Sequence, residues 1–132
     1  MKKPQFVTCI NCMDGRTQEP VIKFLKKKLR VHYVDMVTEA GPDKIVAHGR
    51  RTSSVTSIKR RVKISIEKHR SKAIAIVGHY GCAGNPVSIR KHLKEIKASV
   101  DKIYGWKFGV PVLGLWVNKA FRVERVILRE DR

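Results

Sequence analysis

The sequence has few cysteines, few acidic residues and no long apolar segment, and each shortage excludes a class of protein. Its 132 residues include three cysteines, which cannot all pair within the chain, whereas small disulfide scaffolds carry denser, even sets. No apolar run approaches the roughly 18 residues of a membrane-spanning helix. The apolar run at residues 6–10 is shorter than the roughly 7–15 residues usual in a secretory signal. We therefore expect a cytoplasmic protein whose cysteines serve metal binding, catalysis or packing.

The chain also lacks internal repeats, low-complexity linkers and the low hydrophobicity of disordered proteins. Hydrophobic residues make up 42% of the sequence, which is enough to form a packed interior. A length of 132 residues suits one such core and is too short for two. We predict a single domain over residues 1–132.

Acidic residues are scarce relative to basic ones, with 11 against 29 and a formal net charge of +18. The excess is spread over most of the chain, and its densest clusters, residues 26–28 and 59–61, fall in segments that are typical of helices. No aromatic residues alternate with them, as a base-stacking surface would require. We favour solvated helix faces as the explanation, and nucleic-acid binding stays open as an alternative.

Short apolar runs alternate with amphipathic segments along the chain. The predicted strands are residues 5–11, 31–37, 72–79, 110–117 and 121–128. The predicted helices begin at Thr17, at Thr52 or Ser53, and at Pro86. This alternation favours an α/β fold with a mostly parallel sheet of four strands and helices on both faces. The short last connection predicts an antiparallel edge strand.

Two polar motifs follow the first and third predicted strands. One is Cys12-Met13-Asp14-Gly15-Arg16, and the other is His79-Tyr80-Gly81-Cys82. Ligands of an open parallel sheet gather at the carboxyl ends of its strands, where the strand order reverses. If the first and third strands are neighbours, both motifs converge there. Two thiolates and an imidazole form a zinc-binding set of the Cys₂His type, which leaves a fourth position for water or a carboxylate.

Asp14 and Arg16 fit a supporting role beside such a metal. Arg16 would hold Asp14 ionised and oriented, and Asp14 would accept a hydrogen bond from a zinc-bound hydroxide. Zinc makes that hydroxide available near neutral pH. The alternative is an ordinary ion pair at a strand end.

Cys9 offers a competing arrangement, because Cys9-x-x-Cys12 with His79-x-x-Cys82 would make a closed Cys₃His structural site. Side chains alternate along an extended strand, so Cys9 and Cys12 should point to opposite faces unless the chain bends after Ile10. We predict that Cys9 is a core residue.

The remaining histidines and aromatic residues give weaker indications. His69 and His92 lie in predicted helices, and we expect both on the surface. His48 is predicted to be an exposed loop residue, with a proton shuttle as the alternative. The aromatic residues expected in the core or at an interface are Trp106, Phe108 and Trp116.

With both motifs in this order, the sequence resembles the β-class carbonic anhydrases, whose signatures are Cys-x-Asp-x-Arg and a later His-x-x-Cys. The resemblance extends less closely through Glu39-Ala40-Gly41 and the closing strands. It implies that Cys12, His79 and Cys82 bind one zinc ion per chain. It also implies that the dyad of Asp14 and Arg16 orients the metal-bound water, or that Asp14 closes the coordination shell in an inactive form.

The implied activity is that of a lyase: reversible hydration of carbon dioxide to bicarbonate by a zinc-bound hydroxide. The resemblance further implies a homodimer or a dimer-based oligomer, here without the N-terminal helical arms of larger members. The chain differs from the family pattern at three positions. Gly15 stands where Ser is common, and Ala83 stands where Gly is usual. Glu39 stands where the family usually has an Arg-Asn-Ala-Gly stretch. Two alternatives are a zinc hydrolase of another small molecule such as carbon disulfide, and a non-catalytic basic zinc module that binds nucleic acid.

Overall fold

Strands and helices alternate along the chain in a computed structural model that describes residues 3–131. The strands are β1 (Phe6–Cys12), β2 (Tyr33–Glu39), β3 (Ile74–His79), β4 (Val112–Val117) and β5 (Val123–Arg129). The helices are α1 (Gly15–Leu29), α2 (Pro42–Ala47), α3 (Ser53–His69) and α4 (Ile89–Tyr104). No helix in this part of the chain is long and apolar enough to span a membrane.

The five strands form one sheet in the order β2-β1-β3-β4-β5. The first four are parallel, and β5 pairs antiparallel with β4 at the edge. The predicted fold class is therefore confirmed, including the antiparallel edge strand. The chain runs from β1 outward to β2 and then crosses back to β3, so the strand order reverses between β1 and β3.

The pairing between β1 and β3 stops short of their carboxyl ends. The β1–β2 ladder continues to Cys12 opposite Glu39, and the β3–β4 ladder continues to His79 opposite Val117. The β1–β3 ladder, by contrast, ends at Ile10 opposite Ile76. The last residues of β1 and β3 are thus not paired with each other. Their separation leaves a crevice at the switch point of the sheet.

Apolar side chains cover both faces of the sheet. Helix α1 packs Val21 and Leu25 on one face, while the other helices cover the opposite face. The buried residues on that second face include Val46, Ile58, Val62, Val100 and Ile103. Full burial of one such side chain contributes about 1.5–3 kcal/mol. The two layers hold the strand ends, and with them the crevice, in fixed positions.

Two helices begin at residues other than those predicted. Helix α1 is capped by Asp14, whose Oδ1 accepts the backbone N–H of Arg16 at 2.9 Å, and the predicted cap Thr17 lies inside the first turn. Helix α4 is capped by Ser88, whose Oγ accepts the N–H of Lys91, so Pro86 lies before the helix. The predicted cap Thr52 is confirmed for α3.

The segment after β2 forms the short helix α2 instead of the predicted loop. Its carboxylate Asp43 is buried and pairs with His92 of α4, with 2.6 Å between Oδ2 and Nδ1. The prediction of a surface position for His92 was therefore wrong, because the unforeseen helix supplies the partner that makes burial of an imidazole favourable. His69 is about half exposed, with 46% of its side chain accessible, as predicted.

Candidate metal centre

Cys12, His79 and Cys82 lie together in the crevice. Cys12 ends β1, His79 ends β3, and Cys82 follows in the next turn. One ligand atom from each lies within 4.8 Å of the others, and the two sulfurs are 3.8 Å apart. Two sulfurs bound at about 2.3 Å to a tetrahedral zinc ion lie about 3.8 Å from each other. The buried set therefore has the spacing that zinc requires.

The imidazole of His79 is held in place through one of its ring nitrogens. Its Nδ1 donates a hydrogen bond to the carbonyl oxygen of Tyr80 at 2.9 Å, because a carbonyl can only accept. In the neutral imidazole, Nε2 then carries the lone pair, and this buried atom has no hydrogen-bond partner among residues 3–131. Metal-bound histidines are held by the same kind of contact through their other nitrogen. A metal ion at Nε2 would satisfy an acceptor that is otherwise costly to bury.

The hydrogen bond between the two thiols shifts their pKa values in opposite directions. The hydrogen bond with Cys82 lowers the pKa of Cys12 to about 4, and it outweighs burial, which acts in the opposite direction. Smaller lowering contributions come from His79 and the backbone N–H groups of Gly41 and Asp14. The same hydrogen bond, together with burial and the negative charge of Cys12, raises the pKa of Cys82. A dication would displace the remaining proton, since the thiolate is the form that binds metal.

Asp14 and Arg16 form a bidentate ion pair beside these ligands. The guanidinium donates from Nε to Oδ1 at 3.0 Å and from Nη2 to Oδ2 at 2.7 Å. These hydrogen bonds, with a further one from the backbone of Arg16, hold the pKa of Asp14 well below its usual range. Asp14 Oδ2 lies 4.0 Å from Nε2 of His79. The ionised carboxylate is thus next to the candidate metal position but is engaged by Arg16.

Gln18 is a supporting residue that the sequence did not reveal. Its Nε2 donates to the carbonyl oxygens of Cys12 at 2.8 Å and Asp14 at 2.9 Å, so it fixes the turn that carries both side chains. Its position in the sequence could have indicated this role. Gln18 lies four residues after the true cap, Asp14, and a side chain at that spacing on α1 can reach back over the first turn. That signal was hidden by the expectation that the helix begins at Thr17.

Glycines bring the loops after β2 and β3 into backbone contact. A Cβ on Gly84 would lie 2.6 Å from the carbonyl carbon of Ala40, and one on Gly41 would lie 2.8 Å from that of Gly84. Gly41 also has a positive φ of 66°. This approach places backbone N–H groups of Gly41 and Gly84 beside the sulfurs of Cys12 and Cys82, respectively.

Cys9 does not join the metal-ligand group. It is buried in the core with Val7 and Val21 on the α1 face of the sheet, and burial raises the pKa of its thiol. The prediction of a core role is confirmed, and the described residues do not form the alternative Cys₃His arrangement. His48 lies at the C-terminal end of α2 and lines a surface cleft with Lys44 and Arg50.

Glu39, one of the departures from the family pattern, is held away from the ligands by two contacts. Its carboxylate pairs with Arg61 of α3 at 2.8 Å. Its carbonyl oxygen accepts the N–H of Met13 at 2.8 Å, which fastens the end of β2 to the residue after Cys12. The side chain therefore braces α3 against the sheet instead of filling the crevice.

The fold and these residues define a mostly parallel α/β protein with a Cys–His–Cys group of the zinc-binding type at its switch point. A family described as "Putative carbonic anhydrase" matches residues 2–127, and the chain belongs to this family. The resemblance inferred from the two motifs is thereby confirmed. No curated protein matches the chain.

Solved structures of β-carbonic anhydrases are similar to the chain in fold. A tetrameric enzyme from Sordaria macrospora gives a TM-score of 0.64 at 13% identity, over 98% of this chain and 84% of the other. Isoform I from Trichomonas vaginalis gives 0.59 at 21% identity, over 96% and 85%. A carbonic anhydrase from Glaciozyma antarctica gives 0.60 at 14% identity, over 91% and 81%. At these identities the comparison shows the shared fold alone.

Proposed function

We propose that the protein is a zinc-dependent carbonic anhydrase that hydrates carbon dioxide reversibly to bicarbonate. The observation that carries this proposal is the convergence of Cys12, His79 and Cys82 beside the Asp14–Arg16 pair, in a chain of the carbonic anhydrase family. The unpartnered Nε2 of His79 and the 3.8 Å sulfur separation support zinc as the metal, one ion at this group in each chain. The single domain over residues 1–132 would contain every side chain named in the reaction.

The proposed roles of the dyad follow from its geometry. When bound, zinc would supply Lewis-acid chemistry that lowers the pKa of a coordinated water to about 7. Asp14, ionised by its contacts with Arg16, would accept a hydrogen bond from that water and so orient it toward carbon dioxide. Arg16 occupies both oxygens of Asp14, which keeps this carboxylate from closing the coordination shell. Asp14 is the proposed catalytic residue, and Arg16 positions it.

We further propose that the active form is a homodimer or a dimer-based oligomer in the cytoplasm. Large apolar side chains next to the site are exposed, with accessible fractions of 65% for Met13, 44% for Tyr80 and 45% for Phe121. Phe121 also lies 6.0 Å from the guanidinium of Arg16. Exposed apolar groups around a site favour a protein partner, and the similar Sordaria enzyme is tetrameric. A reducing cytoplasm would keep the cysteine ligands as thiols before metal binding.

The proposal is tested by zinc analysis together with stopped-flow carbon dioxide hydration. We expect about one zinc per Cys₂His group and hydration activity that an Asp14→Ala substitution abolishes without loss of that zinc. Asp101→Ala serves as the matched control, because Asp101 also forms a carboxylate–arginine pair, with the exposed Arg129. Zinc-loaded protein that hydrates no carbon dioxide at any pH from about 6 to 9, the range around the pKa of zinc-bound water, contradicts the proposal. Release of sulfide from carbon disulfide by the same protein would instead identify the alternative hydrolase.

A further inference from the structure

A second group of metal-binding side chains lies behind the loop that carries Cys82. Asp43 of α2 and His92 and Glu95 of α4 are buried, and one ligand atom of each lies within 4.8 Å of the others. Asn85, three residues after Cys82, reaches into the same group. We propose that these four side chains form a second site, separate from the cysteine centre, for a divalent transition-metal ion.

The distances from the amide nitrogen of Asn85 to its three neighbours match those between ligands around one ion, and the shorter Asp43–His92 hydrogen bond of 2.6 Å would have to open. Nδ2 of Asn85 lies 3.1 Å from Oδ1 of Asp43, 3.0 Å from Oε1 of Glu95 and 3.4 Å from Nδ1 of His92. Adjacent ligands held about 2.1 Å from a metal are about 3.0–3.4 Å apart in octahedral or tetrahedral geometry. The amide atom therefore occupies the corner of a coordination shell, and a half-turn of the amide would place Oδ1 at that corner.

The oxygen of Asn85 is the atom that a half-turn of the amide would bring into the group. Asn85 is fully buried, and its Oδ1 has no hydrogen-bond partner in the described part of the chain. The amide nitrogen faces the two carboxylates, and the oxygen is left unpaired among the described residues. The reverse orientation would direct three oxygens at one point, which is favourable only around a cation.

The charge of the group also favours a cation. Two buried acidic side chains, Asp43 and Glu95, face a single imidazole, so the group has an excess of acidic groups away from water. A divalent ion would neutralise it. One nitrogen and three oxygens suit Mn²⁺ as well as Zn²⁺, whereas the two thiolates of the other centre favour Zn²⁺ over Mn²⁺.

The fold makes room for this site beside the first one. A Cβ on Gly78 would lie 2.7 Å from Oδ2 of Asp43, so the absence of a side chain on β3 admits the carboxylate. The backbone N–H of Asn85 in turn bonds to the carbonyl oxygen of Cys82 at 3.3 Å. A metal bound here would tie α2 and α4 to the loop that presents Cys82.

Metal titration of the wild-type protein tests the proposal without any substitution. Bound Zn²⁺ is counted by mass spectrometry, and free Mn²⁺ is followed by electron paramagnetic resonance. We expect a second equivalent of zinc beyond that at the cysteines, and one equivalent of Mn²⁺ that still binds after the paired substitutions Cys12→Ser and Cys82→Ser. Wild-type protein that binds one zinc equivalent and no Mn²⁺ overturns the proposal.

Substitutions assign the second equivalent to these side chains. His92→Gln and Glu95→Gln are expected to lose it while the zinc at the cysteines stays, and the exposed control Asp101→Asn is expected to keep both. Retention of the second equivalent in both variants overturns the assignment. The experiment is independent of the proposed hydration activity, because the cysteine variants lose that activity and the second site remains measurable in them.

Discussion

At the scale of single residues, the contacts of Asp14 determine whether its carboxylate serves the reaction or the metal. Its Oδ2 lies 4.0 Å from Nε2 of His79, close enough that a small rotation would bring it toward a metal on that nitrogen. Arg16 opposes the rotation by holding both carboxylate oxygens. The guanidinium itself is exposed, with 59% of its side chain accessible, so it can be replaced with little effect on the core.

We expect Arg16→Gln to reduce carbon dioxide hydration by about 10–100-fold, the usual cost of losing a residue that orients a group beside a metal. The zinc content should stay unchanged, because Arg16 contacts none of the three proposed ligands. Stopped-flow kinetics with zinc analysis on the same sample checks both statements. Arg129→Gln, which removes the other exposed arginine–aspartate pair, is the control. Wild-type activity in Arg16→Gln would contradict the positioning role.

The same ion pair predicts a pH dependence of stability. Hydrogen bonds from Arg16 lower the folded-state pKa of Asp14 below its unfolded value. The pair therefore stabilises the fold above the unfolded pKa, about 4, and this stabilisation is lost as the pH falls through the lower folded value. Asp14→Asn keeps a capping side chain and removes the charge. We expect wild type to be more stable than this variant at pH 7 and the difference to vanish in strong acid, as measured by urea denaturation.

At the scale of secondary-structure elements, the loops after β2 and β3 support the candidate centre through their backbone contact. The contact depends on Gly84, because a methyl group there would lie 2.6 Å from the carbonyl carbon of Ala40 and 2.8 Å from the N atom of Gly41. Backbone atoms cannot move aside as a flexible side chain can, so a larger residue must push the two loops apart.

We expect Gly84→Ala to destabilise the fold by about 1–3 kcal/mol, the usual cost of forcing an extra carbon into a packed region. Zinc affinity should fall with it, since the displaced N–H groups face the sulfurs. Gly15→Ala is the matched control, because a Cβ there meets no atom within 4 Å. The Gly15→Ala variant should be as stable as the wild type, or more stable by up to about 1 kcal/mol. Chemical denaturation and zinc titration measure both effects, and equal stability of the two variants would refute the argument.

The same elements show how much of the structure the sequence could predict. Strands such as β3 are evident from the sequence. Residues 74–77 of β3 form a continuous apolar run, which a strand buried on both faces requires. The convergence of Cys12 and His79 was predictable as well, since parallel strands end at the same edge of a sheet. Helix starts were harder: Thr17 and Pro86 carry the right chemistry, but Asp14 and Ser88 make the capping hydrogen bonds.

The buried polar group behind the centre was not predictable from local patterns. His92 lies among charged residues in an amphipathic helix, where a histidine usually faces solvent. Its burial depends on Asp43, 49 positions earlier in the chain, and on a glycine at position 78 that leaves space for that carboxylate. Only the three-dimensional packing of α2, β3 and α4 brings these residues together.

At the scale of the whole molecule, some of the basic residues behind the formal charge of +18 have favourable local contacts. The three lysines at 26–28 occupy the last turn of α1, where positive charge is favourable to the helix dipole. Lys59 lies 5.9 Å from the ring centre of Trp106, and Arg61 pairs with Glu39. These contacts give structural roles to five of the six residues in the two densest basic clusters, and the remaining excess keeps the molecule strongly positive.

We expect this surface to bind polyanions only weakly and without sequence preference. The dissociation constant for a short single-stranded RNA should be about 10⁻⁴ to 10⁻⁶ M at physiological salt, and the affinity should fall steeply as salt rises, because such binding depends on counterion release. Fluorescence anisotropy at several salt concentrations measures both. The Cys12→Ser protein should give the same slope, since this substitution removes no basic side chain. Tight binding that persists at high salt, or that prefers one sequence, would instead make nucleic-acid recognition a function of this fold.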